Sequence, residues 1–175
     1  MTKRKKATDL TEAATVERAK SMANEWMWAV SLQHSRITDP RAQDKGYNHF
    51  SNMPFNEADI HFLVIALGRL RAVATTLKHI PEQWESVAEA IKAFDSRLPW
   101  RKPLRDAFEH MEDYAVESNS RHIKEISRKK LQVWSGRPNG INWLGYDIDW
   151  EETLLAAKDL FGVIMTAYKT FLRGC

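Results

Sequence analysis

A short run of charged and titratable residues near the middle of the chain has the side chains best suited to chemistry. Arg105 and Asp106 are followed within about two helical turns by Glu109, His110 and Tyr114. A guanidinium can neutralise developing negative charge, and an imidazole can exchange a proton near neutral pH. Asp106 lies one turn before His110, where its carboxylate could orient the ring and raise its pKa. Tyr114, one turn after His110, could support the ring or an anion.

These residues are predicted to lie on an amphipathic helix that runs from Pro103 to about Asn119. Proline suits the first position of a helix, because its missing N–H would have had no partner there. The apolar residues that recur at helical spacing are Leu104, Ala107, Phe108, Met111 and Ala115.

In a straight helix, residues five positions apart diverge by roughly 140°. Arg105 and His110 would therefore flank the outer face from opposite sides. A second copy of the helix, packed across a two-fold axis, could bring the Arg of one copy towards the His of the other. The alternative is an ordinary surface on which Arg105 and His110 contact Asp106 and Glu109.

Helical spacing of apolar residues also dominates most of the remaining chain. His34 continues the apolar stripe of the first helix, and we expect it to be a hydrogen-bonded residue at the edge of the core. Asn56 is a good N-cap for a second helix, whose wide apolar stripe indicates a central position. The predicted helices cover residues 9–35, 56–80, 84–94 and 103–119, with a last helix capped by Asp149.

A small β-hairpin is predicted at about residues 131–146, because two short apolar runs flank Asn139-Gly140. The predicted fold class is therefore all-α, an up-and-down bundle of four to five helices with this hairpin inserted before the last helix. Residues 1–8 form a flexible basic terminus in this interpretation, and residues 9–175 form a single domain.

Composition narrows the classes of function. Hydrophobic residues make up 43% of the chain and charged residues 28%, which is typical of a globular protein. The net charge of +3 permits an anionic partner. Cys175 is the one cysteine, so neither an internal disulfide nor a cysteine-based zinc site is expected. No signal peptide or membrane span is predicted, and we expect a cytoplasmic protein. No motif indicates a metal or a cofactor.

The segment Leu104-Arg105-Asp106-Ala107-Phe108-Glu109-His110 resembles the signature of the HEPN superfamily. That signature is an Arg, a polar residue, a few variable positions and a His, set in a helical bundle. The resemblance implies a metal-independent endoribonuclease, a toxin of a toxin–antitoxin system or an effector of antiviral defence. It also implies a homodimer with a composite site.

In that interpretation His110 would act as general acid or base, and Arg105 would stabilise the transition state, with Asp106, Glu109 and Tyr114 in support. The expected partners are RNA, a second copy of the chain and an antitoxin or regulatory protein. The basic residues predicted to hold the RNA backbone are Arg121, Lys124, Arg128, Lys129 and Lys130.

Two other interpretations stay open. Other members of the superfamily serve as scaffolds, and the acidic residues Asp106, Glu109, Glu112 and Asp113 favour a non-catalytic helical dimer that acts as an interaction module. Plain RNA binding through the basic segment and the loop at 47–52 is the third interpretation.

Overall fold

The computed structural model describes residues 7–39, 57–110, 134–137 and 139–174. Within these residues the chain is mostly helical, with a small antiparallel sheet before the last helix. The prediction of a predominantly α-helical chain is confirmed. The helices are α1 (Ala7–Thr38), α2 (Glu57–Thr76), α3 (Pro81–Arg97), α4 (Arg101–Glu109) and α5 (Trp150–Gly174), and a turn of 3-10 helix at Leu77–His79 follows α2. The strands are β1 (Trp134–Arg137), β2 (Gly140–Trp143) and β3 (Tyr146–Asp149).

Helix α2 lies at the centre of the core, as its wide apolar stripe predicts. It packs against α1, α3, α4 and α5. Leu63, Leu67 and Leu70 on its buried face are inaccessible to solvent. Each such leucine stabilises the fold by about 1.5–3 kcal/mol relative to an exposed position. The segment Glu57–His79 is long and apolar enough to cross a membrane by length and composition alone, but half of its apolar 18-residue window is buried inside the protein, as in the core helix of a soluble domain.

Helices α1 and α5 pack in antiparallel directions. In the first half of α1, Lys20 Nζ lies 3.1 Å from Tyr168 Oη in the second half of α5. Near the end of α1, His34 Nε2 lies 3.7 Å from a carboxylate oxygen of Glu151 in the first turn of α5. Burial lowers the pKa of His34, and the Glu151 charge opposes that effect. His34 therefore lies at the edge of the core, as predicted, but its buried Nε2 has no hydrogen-bond partner among the described residues.

The predicted hairpin has two strands, whereas the sheet in the structure has three, in the order β1-β2-β3. Arg137 pairs with Gly140, so Gly140 belongs to β2 and not to the turn that precedes it. Trp143 pairs with Tyr146 across a second two-residue loop. Its residues Leu144 and Gly145 have φ angles of 55° and 82°, which is the backbone of a type I′ turn. The sequence did not reveal this turn because leucine occupies a position where asparagine or glycine is typical.

The last helix begins as predicted. The backbone N–H of Glu152 donates to Oδ1 of Asp149 at 2.9 Å, so Asp149 ends β3 and also caps α5. The backbone N–H of Trp150 donates to the carbonyl of Asn139 at 2.9 Å. This bond joins the first turn of the sheet to the start of α5.

Helix α4 is shorter than predicted. It begins at Arg101, two residues before Pro103, and ends at Glu109. His110 has φ −122° and ψ 26°, and its backbone N–H donates to the carbonyl of Asp106. The prediction of a helix that continues through His110 is therefore wrong. The apolar spacing continues past this point in the sequence, so periodicity alone could not locate the end. The remaining predicted positions, 111–119, lie outside the described residues.

Two Gly→Ala substitutions should change stability in opposite directions. Gly145→Ala is expected to lower the free energy of unfolding by about 1–2 kcal/mol, because an L-residue is strained at positive φ. Gly162→Ala lies in α5 with open space around the added Cβ, and it is expected to raise stability by about 0.5–1 kcal/mol. Urea denaturation of the two variants and the wild type measures both changes. Equal effects of the two substitutions would contradict the assignment of the second turn.

Candidate functional site

Arg105 lies in the middle of α4, and its side chain is about half exposed. Its Nε lies 3.0 Å from Oδ1 of Asp106 and 3.4 Å from a carboxylate oxygen of Glu109. The contacts predicted for an ordinary surface are thus present at Arg105. They neutralise part of its charge while leaving the guanidinium accessible.

His110 is the residue that ends α4, so its direction does not follow the spacing of a continuous helix. The estimate of roughly 140° between Arg105 and His110 therefore no longer applies. Asp106 contributes its carbonyl to the His110 backbone and its carboxylate to Arg105. Tyr114, the third supporting residue, lies outside the described residues.

Arg105 and Glu109 are two of the residues that line a cleft where α2, α3 and α4 meet. The cleft has a volume of about 780 Å³. Asp106 and His110 do not line it. The structure thus places two of the four described candidate residues at the cleft wall and two beside it.

The cleft is strongly basic. The described residues of its walls include five cationic side chains and two carboxylates, namely Arg69, Arg71, Arg101, Lys102 and Arg105 with Asp95 and Glu109. Apolar side chains of α2 and of the turn after α3 line the remainder, among them Val64, Ile65, Leu98 and Pro99. An enclosure with this excess of positive charge attracts anions and concentrates the field on a bound ligand.

A carboxylate shared by two guanidinium groups forms the inner part of the cleft. Asp95 on α3 accepts bonds of 2.7 and 2.9 Å from Nε of Arg71 and of 2.6 Å from its Nη2. The same carboxylate accepts a bond of 3.2 Å from Nη2 of Arg101. Two cations share one anion, so the group keeps a net positive charge.

The charges in this group shift one another's pKa values. Burial acts to raise the pKa of Asp95, but the hydrogen bonds from Arg71 and the charge of Arg101 outweigh it and hold the pKa below its ordinary value. Burial also lowers the pKa of Arg101, and the nearby charge of Arg71 acts in the same direction. Asp95 is therefore ionised at neutral pH, and it offsets part of the cost of burying Arg101.

Arg101 is the most deeply placed cation in the cleft. Its side chain is 12% exposed, and its guanidinium lies over the ring of Phe94, 5.8 Å from the centroid. Its Nε is buried without a hydrogen-bond partner among the described residues. A Cβ added at Gly68 would lie 3.5 Å from Nη1 of Arg101, so this glycine leaves the space beside the guanidinium open.

A tight connection between α3 and α4 positions these groups. The N–H of Leu98 donates to the carbonyl of Phe94, and the N–H of Arg101 donates to the carbonyl of Leu98. Leu98 and Trp100 are buried and anchor the connection. Because Arg101 and Arg105 are four residues apart, both project from the same face of α4.

Sequence reasoning missed the group formed by Asp95 and Arg101. Arg71 lies off the apolar stripe of α2, but no local pattern pairs it with a carboxylate 24 positions away. The spacing of Arg97, Arg101 and Arg105 at intervals of four was an available signal. It would have been a weak one, since Arg97 instead pairs with Glu152 and Asp159 of α5.

The predicted basic RNA-binding segment, residues 121–130, and the loop at 47–52 lie outside the described residues. Among the described residues, no group of three or more His, Cys, Asp or Glu side chains could hold a metal ion.

Comparison with known proteins gives no match. No protein-family model matches the chain, and no curated protein or solved structure is significantly similar to it. The assignment of a function therefore depends on the residues themselves.

Asp95→Asn should lower the free energy of unfolding at pH 7, because it leaves Arg71 and Arg101 facing each other without a carboxylate. The folded-state pKa of Asp95 is depressed, so its stabilising charge is present above the ordinary carboxyl range and is lost as the pH falls below about 4. The difference between wild type and variant should therefore shrink in acid. Urea denaturation at pH 7 and pH 3 measures it.

Asp159→Asn is the matched control for that measurement. Asp159 is 70% exposed and contacts Arg97, which keeps Glu152 as a second partner. Its loss should change stability little at either pH. A stability of Asp95→Asn equal to that of Asp159→Asn at pH 7 would contradict the stabilising role of the shared carboxylate.

Proposed function

We propose that the protein is a metal-independent endoribonuclease of HEPN type. The observation that supports this most is the position of Arg105 on the wall of a cleft with a large excess of cationic side chains. An Arg predicted to stabilise a phosphorane-like transition state needs a phosphodiester beside it. A basic cleft of about 780 Å³ offers the electrostatic environment in which a segment of RNA backbone can bind.

The proposed reaction transfers the phosphoryl group within the substrate strand. The ribose 2′-oxygen attacks the adjacent phosphorus, and the bond from phosphorus to the 5′-oxygen breaks. The imidazole of His110 accepts the 2′-hydroxyl proton and then, in its protonated form, donates a proton to the departing 5′-oxygen. The products carry a 2′,3′-cyclic phosphate and a 5′-hydroxyl. Arg105 stabilises the charge that develops on the equatorial oxygens.

The proposal requires two copies of the chain. His110 does not line the cleft that contains Arg105 of the same copy. In the proposed homodimer, the partner's His110 would complete the site across a two-fold axis. The protomer would be an up-and-down helical bundle, and the protein would act in the cytoplasm on RNA under the control of an antitoxin or regulatory protein.

A non-catalytic helical dimer that serves as an interaction module is the second candidate. The contacts of Arg105 with Asp106 and Glu109 on its own helix favour it, because they hold the guanidinium without any substrate. These acidic neighbours would also repel a phosphate unless other cations outweigh them. The five cations of the cleft are what favours the nuclease over this alternative.

Arg105→Ala and His110→Ala should each reduce cleavage of a fluorescent single-stranded RNA, measured in EDTA, by about 100-fold or more. Each substitution removes one group that the reaction needs. Arg18→Ala on α1 and His79→Ala after α2 are controls, since both residues are exposed and lie outside the cleft. They should leave the rate unchanged.

Light scattering shows whether each variant is still a dimer, and together with the cleavage assay it distinguishes the two candidate functions. A nuclease requires that Arg105→Ala and His110→Ala abolish cleavage while the dimer persists. Wild-type protein that cleaves no RNA, with variants that mainly weaken the dimer, would support the interaction module and overturn the nuclease.

A further inference from the structure

We infer that Arg71 and Arg101, held in place by Asp95, form a subsite that binds one backbone phosphate of the RNA strand, separate from the phosphate that reacts beside Arg105. The inference rests on the proposed function for the identity of the ligand. The site itself depends on a different set of residues from the proposed catalytic pair.

The hydrogen bonds to Asp95 do not use every donor of either guanidinium group. A guanidinium carries five N–H groups. Arg71 uses its Nε and Nη2 towards Asp95, and Arg101 uses its Nη2. Nη1 of Arg71 and Nη1 of Arg101 are not engaged by that carboxylate, whereas Nε of Arg101 is buried and not accessible to a ligand. Asp95 therefore orients the two groups while leaving donors for a second anion.

Burial makes this part of the cleft favourable for an anion. Arg101 is 12% exposed, and its charge is only partly compensated because Asp95 is shared. Interactions of a charge in a partly dry enclosure are stronger than those at an open surface. Gly68 places no side chain of its own beside Nη1 of Arg101, and a Cβ added there would have that nitrogen as its one described neighbour within 4 Å.

The spacing of the two sites agrees with an extended strand. Arg101 and Arg105 are one turn apart on α4, a rise of about 6 Å along the helix. This is comparable to the separation of successive phosphates in a single strand. A strand that lies along α4 could thus place one phosphate at the subsite and the next at Arg105. Lys102 and Arg69 line the same cleft and add to its positive charge.

The surroundings of the subsite favour a nucleic acid over a lipid surface. The cleft is concave, and Ile65, Leu98 and Pro99 provide apolar surface for a ribose or base. In the part of the chain that the structure describes, four of the five exposed large apolar side chains lie on α1 and α5, namely Trp28, Leu32, Leu155 and Leu172. Neither helix contributes to the cleft, so these side chains could not enter a bilayer together with it.

Binding of a short 2′-O-methyl oligoribonucleotide, which cannot be cleaved by attack of a 2′-hydroxyl, tests the subsite without any need for catalysis. Fluorescence anisotropy over a range of salt concentrations gives both the Kd and its salt slope. Arg71→Gln and Arg101→Gln should each weaken binding about tenfold and reduce the salt slope by about one. Arg97→Gln, which removes the same charge from the opposite side of α3, should bind within about twofold of wild type.

A pair of glycine substitutions tests the same site without removing a buried arginine. Gly68→Asp places a carboxylate beside Arg101, where the added Cβ makes an ordinary contact at 3.5 Å. It should weaken oligonucleotide binding more than tenfold. Gly162→Asp changes the charge equally in the open space of α5 and should bind within about twofold of wild type. Thermal unfolding verifies that each variant is folded.

Binding by folded Arg71→Gln and Gly68→Asp that equals binding by their controls would overturn the subsite. Equal affinity of the wild type for a mononucleotide monophosphate and for the oligonucleotide would also overturn the subsite. So would a wild type that binds neither of these two ligands. Failure of the proposed function would look different. The subsite variants would lose binding as expected, but wild type would cleave no unmodified RNA.

Discussion

Burial of one face of α2 is the constraint on which the rest of the structure depends. Leu63, Leu67 and Leu70 are fully enclosed by α1, α3, α4 and α5. Because this face must remain in the core, Arg69 and Arg71 lie on either side of buried Leu70, at the edges of the face, where both line the cleft. The basic cleft is thus a consequence of how the core orients α2.

The ionic contacts determine how the remaining helices close around that core. Asp95 draws α2, α3 and α4 together through Arg71 and Arg101. Arg97, two residues later, faces the other way and pairs with Glu152 and Asp159 of α5. The two sides of helix α3 therefore differ. Arg97 on one side pairs with acidic residues of α5, whereas Asp95 on the other side lines a cleft with an excess of cations.

A stack of aromatic rings connects the sheet to the end of α4. The rings of His61 and Phe108 lie nearly parallel with centroids 4.5 Å apart, and Phe108 meets Trp143 of β2 edge-on at 5.1 Å. The sheet is anchored in turn to α5 through the cap at Asp149 and the bond from Trp150 to Asn139. The small sheet thus supports the helix that carries Arg105, and in the proposed nuclease it would help to hold His110 at the end of that helix.

Much of the fold follows from local features of the sequence. The apolar spacing predicts α1, α2, α3 and α5, and the acidic cap at Asp149 marks the start of the last helix, because helix period and capping depend on residues within a few positions of each other. The second turn of the sheet was missed, because Leu144 adopts a positive φ that its side chain disfavours and that only the pairing of Trp143 with Tyr146 enforces.

The residues of the candidate site likewise fall into those that the sequence places close together and those that only the tertiary structure brings together. The sequence by itself determined that Arg105, Asp106, Glu109 and His110 lie close together, since they are neighbours along the chain. Only the tertiary structure decided that α4 ends before His110, that Arg105 lines a cleft, and that Asp95 joins Arg71 to Arg101. The physical reason is that an ion pair between residues 24 positions apart on two helices depends on how those helices pack, and no local spacing encodes that packing.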